Sequence, residues 1–305
     1  MKENMYIASE ADGLKLHMLI MEPQGTPKGV VQICHGMSEH KERYEPFMEM
    51  LCEHGYAAVI HDHRGHGKSI RKERDLGYFY DETGNAIVED VYQVTQWIQK
   101  RYPEMPIHLF GHSMGSLIVR CYLKKHDEEV DSLIVCGSPS NNPAAGMAAA
   151  VAKMFCKTKD RKPGTLFQKL AFGAYAKQMK NEESPNAWIS YKKENVRAYD
   201  ENPLDGFLFT NNGFLNLFLL MKETYSKKGW NLKHPSLPIL FIAGADDPCI
   251  GSKKQYAKAM TFLRKRGYNH ISGTLFLNRR HEILNEEEPE KVYRVILQFI
   301  ESAEK

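Results

Sequence analysis

"IHLFGHSMGSLIVRCYL", residues 107–123, decides the fold. A short apolar run, Ile107 to Phe110, enters Gly111-His112-Ser113-Met114-Gly115 and leaves it in a stretch with helical spacing of apolar residues. A serine between two glycines, at the point where a strand turns into a helix, is the elbow that exposes a nucleophile. Glycines lack Cβ, so the backbone there can take a strained turn and push the Ser113 hydroxyl outward. The helix start also offers N–H groups to a developing negative oxygen. An N-cap serine in an ordinary strand-to-helix turn would read the same way in isolation. The rest of the chain has to supply its partners.

Outward from the elbow, "GVVQICHG" (29–36), "YAAVIHD" (56–62), "DSLIVCGSP" (131–139) and "PILFIAGAD" (238–246) are continuous apolar runs. Runs without alternation predict strands buried on both faces, hence parallel. Helical patterns fall between and after them, at 44–55, 85–103, 114–126, 253–267 and 288–302. A last strand is expected at "GTLFLN" (273–278). At the N-terminus, "MYIAS" and "LKLHMLIME" flank Asp12-Gly13 and predict a hairpin with a two-residue turn. Alternating strands and helices imply an α/β fold: an open, mostly parallel sheet with helices on both faces. The alternation stops near residue 141 and resumes near 238. The stretch 141–232 is Phe-rich and helical in pattern, with fourteen Lys and Arg against eight Asp and Glu. It is expected to be a helical cap over the carboxyl ends of the strands, inserted between core segments 1–140 and 233–305.

A serine nucleophile needs a base, and the base needs an orienting acid. "FIAGADDP" puts two aspartates just beyond a buried strand. Asp247, three residues past Gly244, is the expected acid, with Asp246 as the competitor. Of thirteen histidines, His281 in "LNRRHEILNE" follows the last strand and is the expected base. The order Ser113, Asp247, His281 is the one a serine hydrolase on this architecture requires. The oxyanion needs a second N–H from the loop after the third strand. "ICHGMSEH" supplies it, so the Met37 and Met114 amides are the expected pair.

"HDHRGHGKS" (61–69) invites two other readings. A phosphate-binding loop needs a glycine five positions before Gly67, and Asp62 stands there. A metal site needs ligands converging from other segments, and no matching Cys/His/Glu cluster is visible. The loop is therefore expected to be scaffold, tied by Asp62 and Arg64 and bent at Gly65 and Gly67, with no metal.

The chain has 305 residues and a formal net charge of +3, too little to suggest a nucleic-acid partner. Six scattered cysteines without Cys-x-x-Cys spacing point to a reducing compartment. No apolar leader opens the sequence and no apolar run is long enough to span a bilayer, so the expected location is cytoplasmic. The seven phenylalanines Phe155, Phe167, Phe172, Phe207, Phe209, Phe214 and Phe218 are expected to line an acyl tunnel. With the positive surplus of the cap, they would also bring it to lipid aggregates.

"HGMSEHKERY", "DHRGHGKS", "GHSMG", "GADDP" and "RRHEIL" together resemble the α/β-hydrolase branch of monoacylglycerol lipases and bacterial lysophospholipases, the serine aminopeptidase S33-like or hydrolase 4 group. "NAWISYKKENVRAYDENPLDGFLFT" is similar, more loosely, to the cap of its bacterial members. The resemblance implies an eight-stranded sheet, no cofactor, and ester hydrolysis through an acyl-enzyme. The favoured substrate is a monoacylglycerol or lysophospholipid. The alternatives are an aryl or short-chain ester, an amide or peptide, and a non-catalytic binding protein on this fold.

Overall fold

The computed structural model describes residues 1–304. Eight strands form one sheet: β1 (Lys2–Ala8), β2 (Lys15–Met21), β3 (Val30–Cys34), β4 (Ala57–His61), β5 (Ile107–His112), β6 (Ser132–Cys136), β7 (Ile239–Gly244) and β8 (Ile271–Phe276). Their order is β1-β2-β4-β3-β5-β6-β7-β8. β1 and β2 pair antiparallel, β2 meets β4 antiparallel, and every later pairing is parallel. The five strands β3 to β7 are buried along their whole length, which is why they carry no polar alternation.

The N-terminal hairpin departs from expectation. Its strands stop at Ala8 and resume at Lys15, so six residues form the loop. The Gly13 amide closes it on the Ser9 carbonyl at 2.8 Å, and the Leu14 amide donates to Asp12 Oδ1 at 3.2 Å. Asp12 and Gly13 shape the loop without being its two central residues.

Helices α1 (Glu45–Glu53) and α9 (Glu290–Ala303) cover one face of the sheet. Helices α2 (Ala86–Arg101), α3 (Met114–His126) and α8 (Lys253–Arg264) cover the other. The stretch 141–232 supplies α4 (Ala145–Lys159), α5 (Thr165–Gln178), α6 (Lys193–Glu201) and α7 (Asn211–Thr224). These four are not alike. α7 is buried over most of its length, and its Thr224 hydroxyl donates to the Leu117 carbonyl of α3 at 3.3 Å. Phe214, Leu215, Leu217, Phe218 and Leu220 join the main apolar core. α6 instead packs in a separate small cluster of Ile189, Val196 and Tyr199, with Trp188 against it.

The 61–69 loop is held as a scaffold. Asp62 accepts the Lys41 and Lys68 amides, each at 2.9 Å. Arg64 is spent on Asp90 at 2.7 Å, the Phe79 carbonyl at 2.9 Å and Ser9 Oγ at 3.1 Å. Gly67 has φ +47°, and a Cβ there would overlap the Asp62 carboxylate. His61, His63 and His66 are fully buried. Burial pushes His61 and His66 down to about 3, and His63 well below its ordinary value, so all three are neutral. Five of the six cysteines are buried and none is in a disulfide. Among the described residues, no helix is long and apolar enough to cross a membrane.

Candidate active site

Ser113 caps α3 from a left-handed backbone, φ +53° and ψ −116°. For a residue with a Cβ this is strained, so the surroundings must hold it. The Ser113 amide donates to the Cys136 carbonyl at 3.0 Å, and its carbonyl accepts the Ser116 amide at 2.9 Å. The flanking glycines are required by crowding. A Cβ on Gly115 would lie 2.1 Å from the Cys34 carbonyl oxygen, and one on Gly111 would lie 2.5 Å from that of Gly115. The elbow therefore sits pressed against the end of β3. That contact brings the turn after β3 alongside: a Cβ on Gly36 would be 3.1 Å from Ser113 Cβ. Among the described residues, no protein acceptor takes the Met37 or Met114 amide proton.

Asp247 stands just past β7 and His281 past β8. His281 Nδ1 and Asp247 Oδ2 are 2.9 Å apart, and both side chains are buried. Asp247 Oδ1 accepts the Cys249 amide at 2.8 Å, so both carboxylate oxygens are engaged. With Nδ1 donating to Asp247, Nε2 of His281 is left as an acceptor. Asp246 is exposed, and its carboxylate accepts from the Tyr191 hydroxyl at 3.2 Å, away from His281.

Sequence reasoning missed an inner layer of charge. His112 lies 4.7 Å from His281, ring to ring. Its Nε2 is 3.2 Å from the His281 carbonyl, and its Nδ1 is 3.3 Å from Glu39 Oε1. Burial opposes a charge on His112, but the hydrogen bond and the charge of Glu39 hold it above its ordinary value. Glu39 also accepts the Gly36 amide and bonds Arg43. Arg43 grips Glu282 through two bonds, at 2.6 and 2.7 Å. These groups come from segments up to 239 residues apart, so no local spacing betrays them. Trp188 is the other omission. Its ring lies 5.0 Å from that of His281.

Ser113, His281, Met37 and Met114 open onto a cavity of about 990 Å³. Phe167, Phe172, Phe207 and Phe218 line it, together with Leu217 and Met221 of α7. Three of the expected tunnel residues are not in its wall. Phe209 packs on His66 and Phe79 at 5.2 and 5.1 Å, and Phe214 is fully buried against Gly164. Phe209 fastens the insertion to the loop after β4, while Phe214 packs inside the insertion on Phe167, Phe209 and Phe218. Phe155 is 36% exposed and leans on Phe167 from outside.

Asp247, Cys249 and His281 also present three potential ligand atoms within 4.8 Å of one another, the only such trio among the described residues. The trio suits a metal poorly. Burial and the neighbouring Asp247 push the Cys249 thiol well above its ordinary value, so it is not the thiolate a metal takes. The Asp247–His281 bond already uses the other two donors. The histidines at 61–66 form no such group.

The family described as serine aminopeptidase, S33 (Hydrolase_4) matches residues 25–288. A monoacylglycerol lipase of Mycolicibacterium smegmatis is 25% identical over 95% of this chain and 94% of its own length. Human monoglyceride lipase is 39% identical over 108 residues, 35% of this chain and only 34% of the human protein, so the matched stretch spans about a third of that relative. A thermostable carboxyl esterase from Bacillus coagulans superposes with a TM-score of 0.90 at 26% identity, covering 99% of this chain and 98% of that one. The match over residues 25–288, on an eight-stranded α/β-hydrolase sheet, makes this chain a member of the Hydrolase_4, serine aminopeptidase S33 family.

Proposed function

We propose that the chain is a serine hydrolase that cleaves carboxylic esters through an acyl-enzyme, and that its substrate is a monoacylglycerol. The observation that carries the reading is the Asp247–His281 pair at 2.9 Å, opening with the strained Ser113 onto one apolar-walled cavity. In this reading His281 Nε2 takes the Ser113 proton as Oγ attacks the ester carbon. The Met37 and Met114 amides hold the oxyanion. The alkoxide leaves with the proton from His281, and a water deprotonated by His281 then releases the fatty acid and restores Ser113. The balance is one ester and one water in, one acid and one alcohol out.

The charge in the cavity wall supports a neutral glyceride over the other readings. Among the described residues Lys169 is the one lysine or arginine in the wall, too little to hold a phosphate headgroup. Glu39 and Glu282 also line it, but both are committed to Arg43, which leaves no free carboxylate for the ammonium of a peptide.

Within this reading, residues 141–232 are the cap between core segments 1–140 and 233–305, and α4 and α5 are its lipid-facing part. Met147, Met154 and Leu170 are 70, 69 and 72% exposed, with Val151, Phe155 and Leu166 beside them in the same two helices. Lys153, Lys157, Lys159 and Lys169 share those helices. Apolar side chains among cations suit the surface of an anionic lipid aggregate. The free cysteines support a reducing compartment such as the cytoplasm.

The deciding experiment is Ser113→Ala with a fluorophosphonate probe and a panel of monoacylglycerol, lysophospholipid, short aryl ester and aminoacyl anilide. The variant is expected to lose labelling and about 10⁴ or more in kcat. Retained labelling removes Ser113 as the nucleophile. Anilide turnover above ester turnover would replace the esterase by a peptidase.

A further inference from the structure

The loop carrying His281 is fastened to the turn of the cap that carries Trp188, and one buried carboxylate makes most of the bonds. Glu286, five residues past His281, is 1% exposed. Its Oε1 accepts the Arg280 and Tyr191 amides, each at 2.9 Å. Its Oε2 accepts the Ser190 hydroxyl at 2.8 Å, the Tyr191 amide at 3.0 Å and the Lys192 amide at 3.2 Å. None of these donors is charged. Two more bonds lie on either side of His281. The Glu282 amide donates to the Ile189 carbonyl at 2.7 Å. The Arg280 guanidinium donates to the Ala187 carbonyl at 2.7 Å and lies 4.0 Å over the Tyr191 ring. Residues 280, 282 and 286 thus grip residues 187–192 from both sides of the imidazole.

A carboxylate buried among neutral donors is costly to desolvate, and an apolar contact between the two loops would stabilise the fold as well. What the carboxylate adds is direction. Several N–H bonds converging on two oxygens fix the register between the loops, which an apolar contact leaves loose. The segment so fixed includes Trp188, whose ring faces His281.

We propose that Glu286 is a positioning residue for the catalytic base: by locking the cap turn 187–192 to the His281 loop, it holds the imidazole in line and Trp188 against it. The proposal rests on the reading of His281 as the base. It makes the cap turn part of the catalytic machinery, because displacing the turn displaces the imidazole.

The test uses the full chain with Trp97→Phe and Trp230→Phe, which leaves Trp188 as the reporter tryptophan. Glu286→Gln keeps the shape but points an NH₂ group at backbone N–H donors. Three quantities are read: the rate of Ser113 phosphonylation by a fluorophosphonate, the melting temperature, and acrylamide quenching of Trp188. Phosphonylation is expected to slow by roughly tenfold or more, as a base displaced by a fraction of an ångström would cause. Melting is expected to shift by only a few degrees, and Trp188 to become more accessible to acrylamide. Ser190→Ala removes one donor from the cap side and is expected to slow phosphonylation by about threefold, a fraction of what the loss of one hydrogen bond to a charged acceptor costs. It decides the matter should Glu286→Gln not fold. Wild-type phosphonylation in a folded Glu286→Gln, or lowered melting with an unchanged rate in Ser190→Ala, overturns the positioning role. His281→Ala separates the two levels. Wild-type phosphonylation there removes His281 as the base and this proposal with it. An inert His281→Ala beside a fully active Glu286→Gln removes the proposal alone.

Discussion

Exchanging one oxygen of Asp247 for nitrogen tests the proposed relay at its narrowest point. In Asp247→Asn the amide has two orientations. The Cys249 amide donates to Oδ1 at 2.8 Å, so the carbonyl oxygen of Asn must stay there. The NH₂ group then takes the Oδ2 position, 2.9 Å from His281 Nδ1. Two donors cannot share that bond, so His281 gives up its Nδ1 proton and carries it on Nε2 instead. The ring nitrogen needed as acceptor for Ser113 becomes a donor. The same exchange in a serine protease costs roughly 10⁴ in kcat, which is about 5.4 kcal/mol of transition-state stabilisation at 1.36 kcal/mol per tenfold. Fold and substrate binding are untouched, so KM and melting temperature should hold while kcat falls. Asp246→Asn changes an exposed carboxylate that bonds only Tyr191, and turnover should stay within about twofold. The assay is initial-rate hydrolysis of a soluble aryl ester, with fluorophosphonate titration to count competent sites. An Asp247→Asn enzyme keeping a tenth of its turnover would refute the tautomer argument. An inactive Asp246→Asn enzyme would move the acid one residue upstream.

Three further outcomes are expected. For aryl esters of increasing length, kcat/KM should rise by up to about fourfold per methylene, equivalent to 0.8 kcal/mol, until the cavity is filled; Ala148→Phe, which intrudes from α4 into its wall, should flatten that rise, and an unchanged profile would place the acyl chain elsewhere. His61 and His66 titrate near 3 in the folded chain against about 6.5 unfolded, so their stabilisation is complete above pH 6.5 and declines as pH falls toward 3. Each should forfeit about 2 kcal/mol between pH 7 and pH 5, and a urea midpoint that does not fall over that interval would show the imidazoles accepting protons while folded. EDTA should leave hydrolysis and melting unchanged; activity lost to it and restored by Zn²⁺ would assign Asp247, Cys249 and His281 to a metal.

The turn at Ser113, proposed to carry the nucleophile, was legible because its geometry is local. Strand, glycines, serine and helix follow one another within seventeen residues, and the collisions that demand Gly111 and Gly115 occur inside that motif and with the end of β3. That Asp247 and not Asp246 meets His281 agrees with its distance from the strand end, since position past a parallel strand fixes which way a loop residue faces. Three of the seven phenylalanines were misplaced because composition cannot separate a ring that lines a cavity from one that fastens the insertion to the core. Phe209 and Phe214 are among the most buried rings in the chain; Phe209 packs on Phe79 and His66 outside the insertion, and Phe214 on Phe167 and Phe218 within it. The charge behind the site was illegible for another reason. Arg43 reaches Glu282 across 239 residues; each lies in a stretch that carries the resemblance, but nothing in either stretch pairs the two. Glu286 stands in "NEEEPE" as one acid among four, and only the fold brings the Ser190 hydroxyl and the Tyr191 and Lys192 amides onto it.

The cysteines give the molecule a built-in clock. Burial raises the Cys121 and Cys156 thiols to about 11 and those of Cys34, Cys136 and Cys249 further still, so an alkylating reagent at neutral pH finds little thiolate in the closed protein. Half-buried Cys52 should react first, by surface breathing. Each of the others registers the opening of its own surroundings: Cys34 and Cys136 at the ends of β3 and β6, Cys121 on α3, Cys156 on α4, and Cys249 beside Asp247. Pulsed alkylation followed by peptide mass analysis would therefore time the insertion and the sheet separately, without introducing a single new residue.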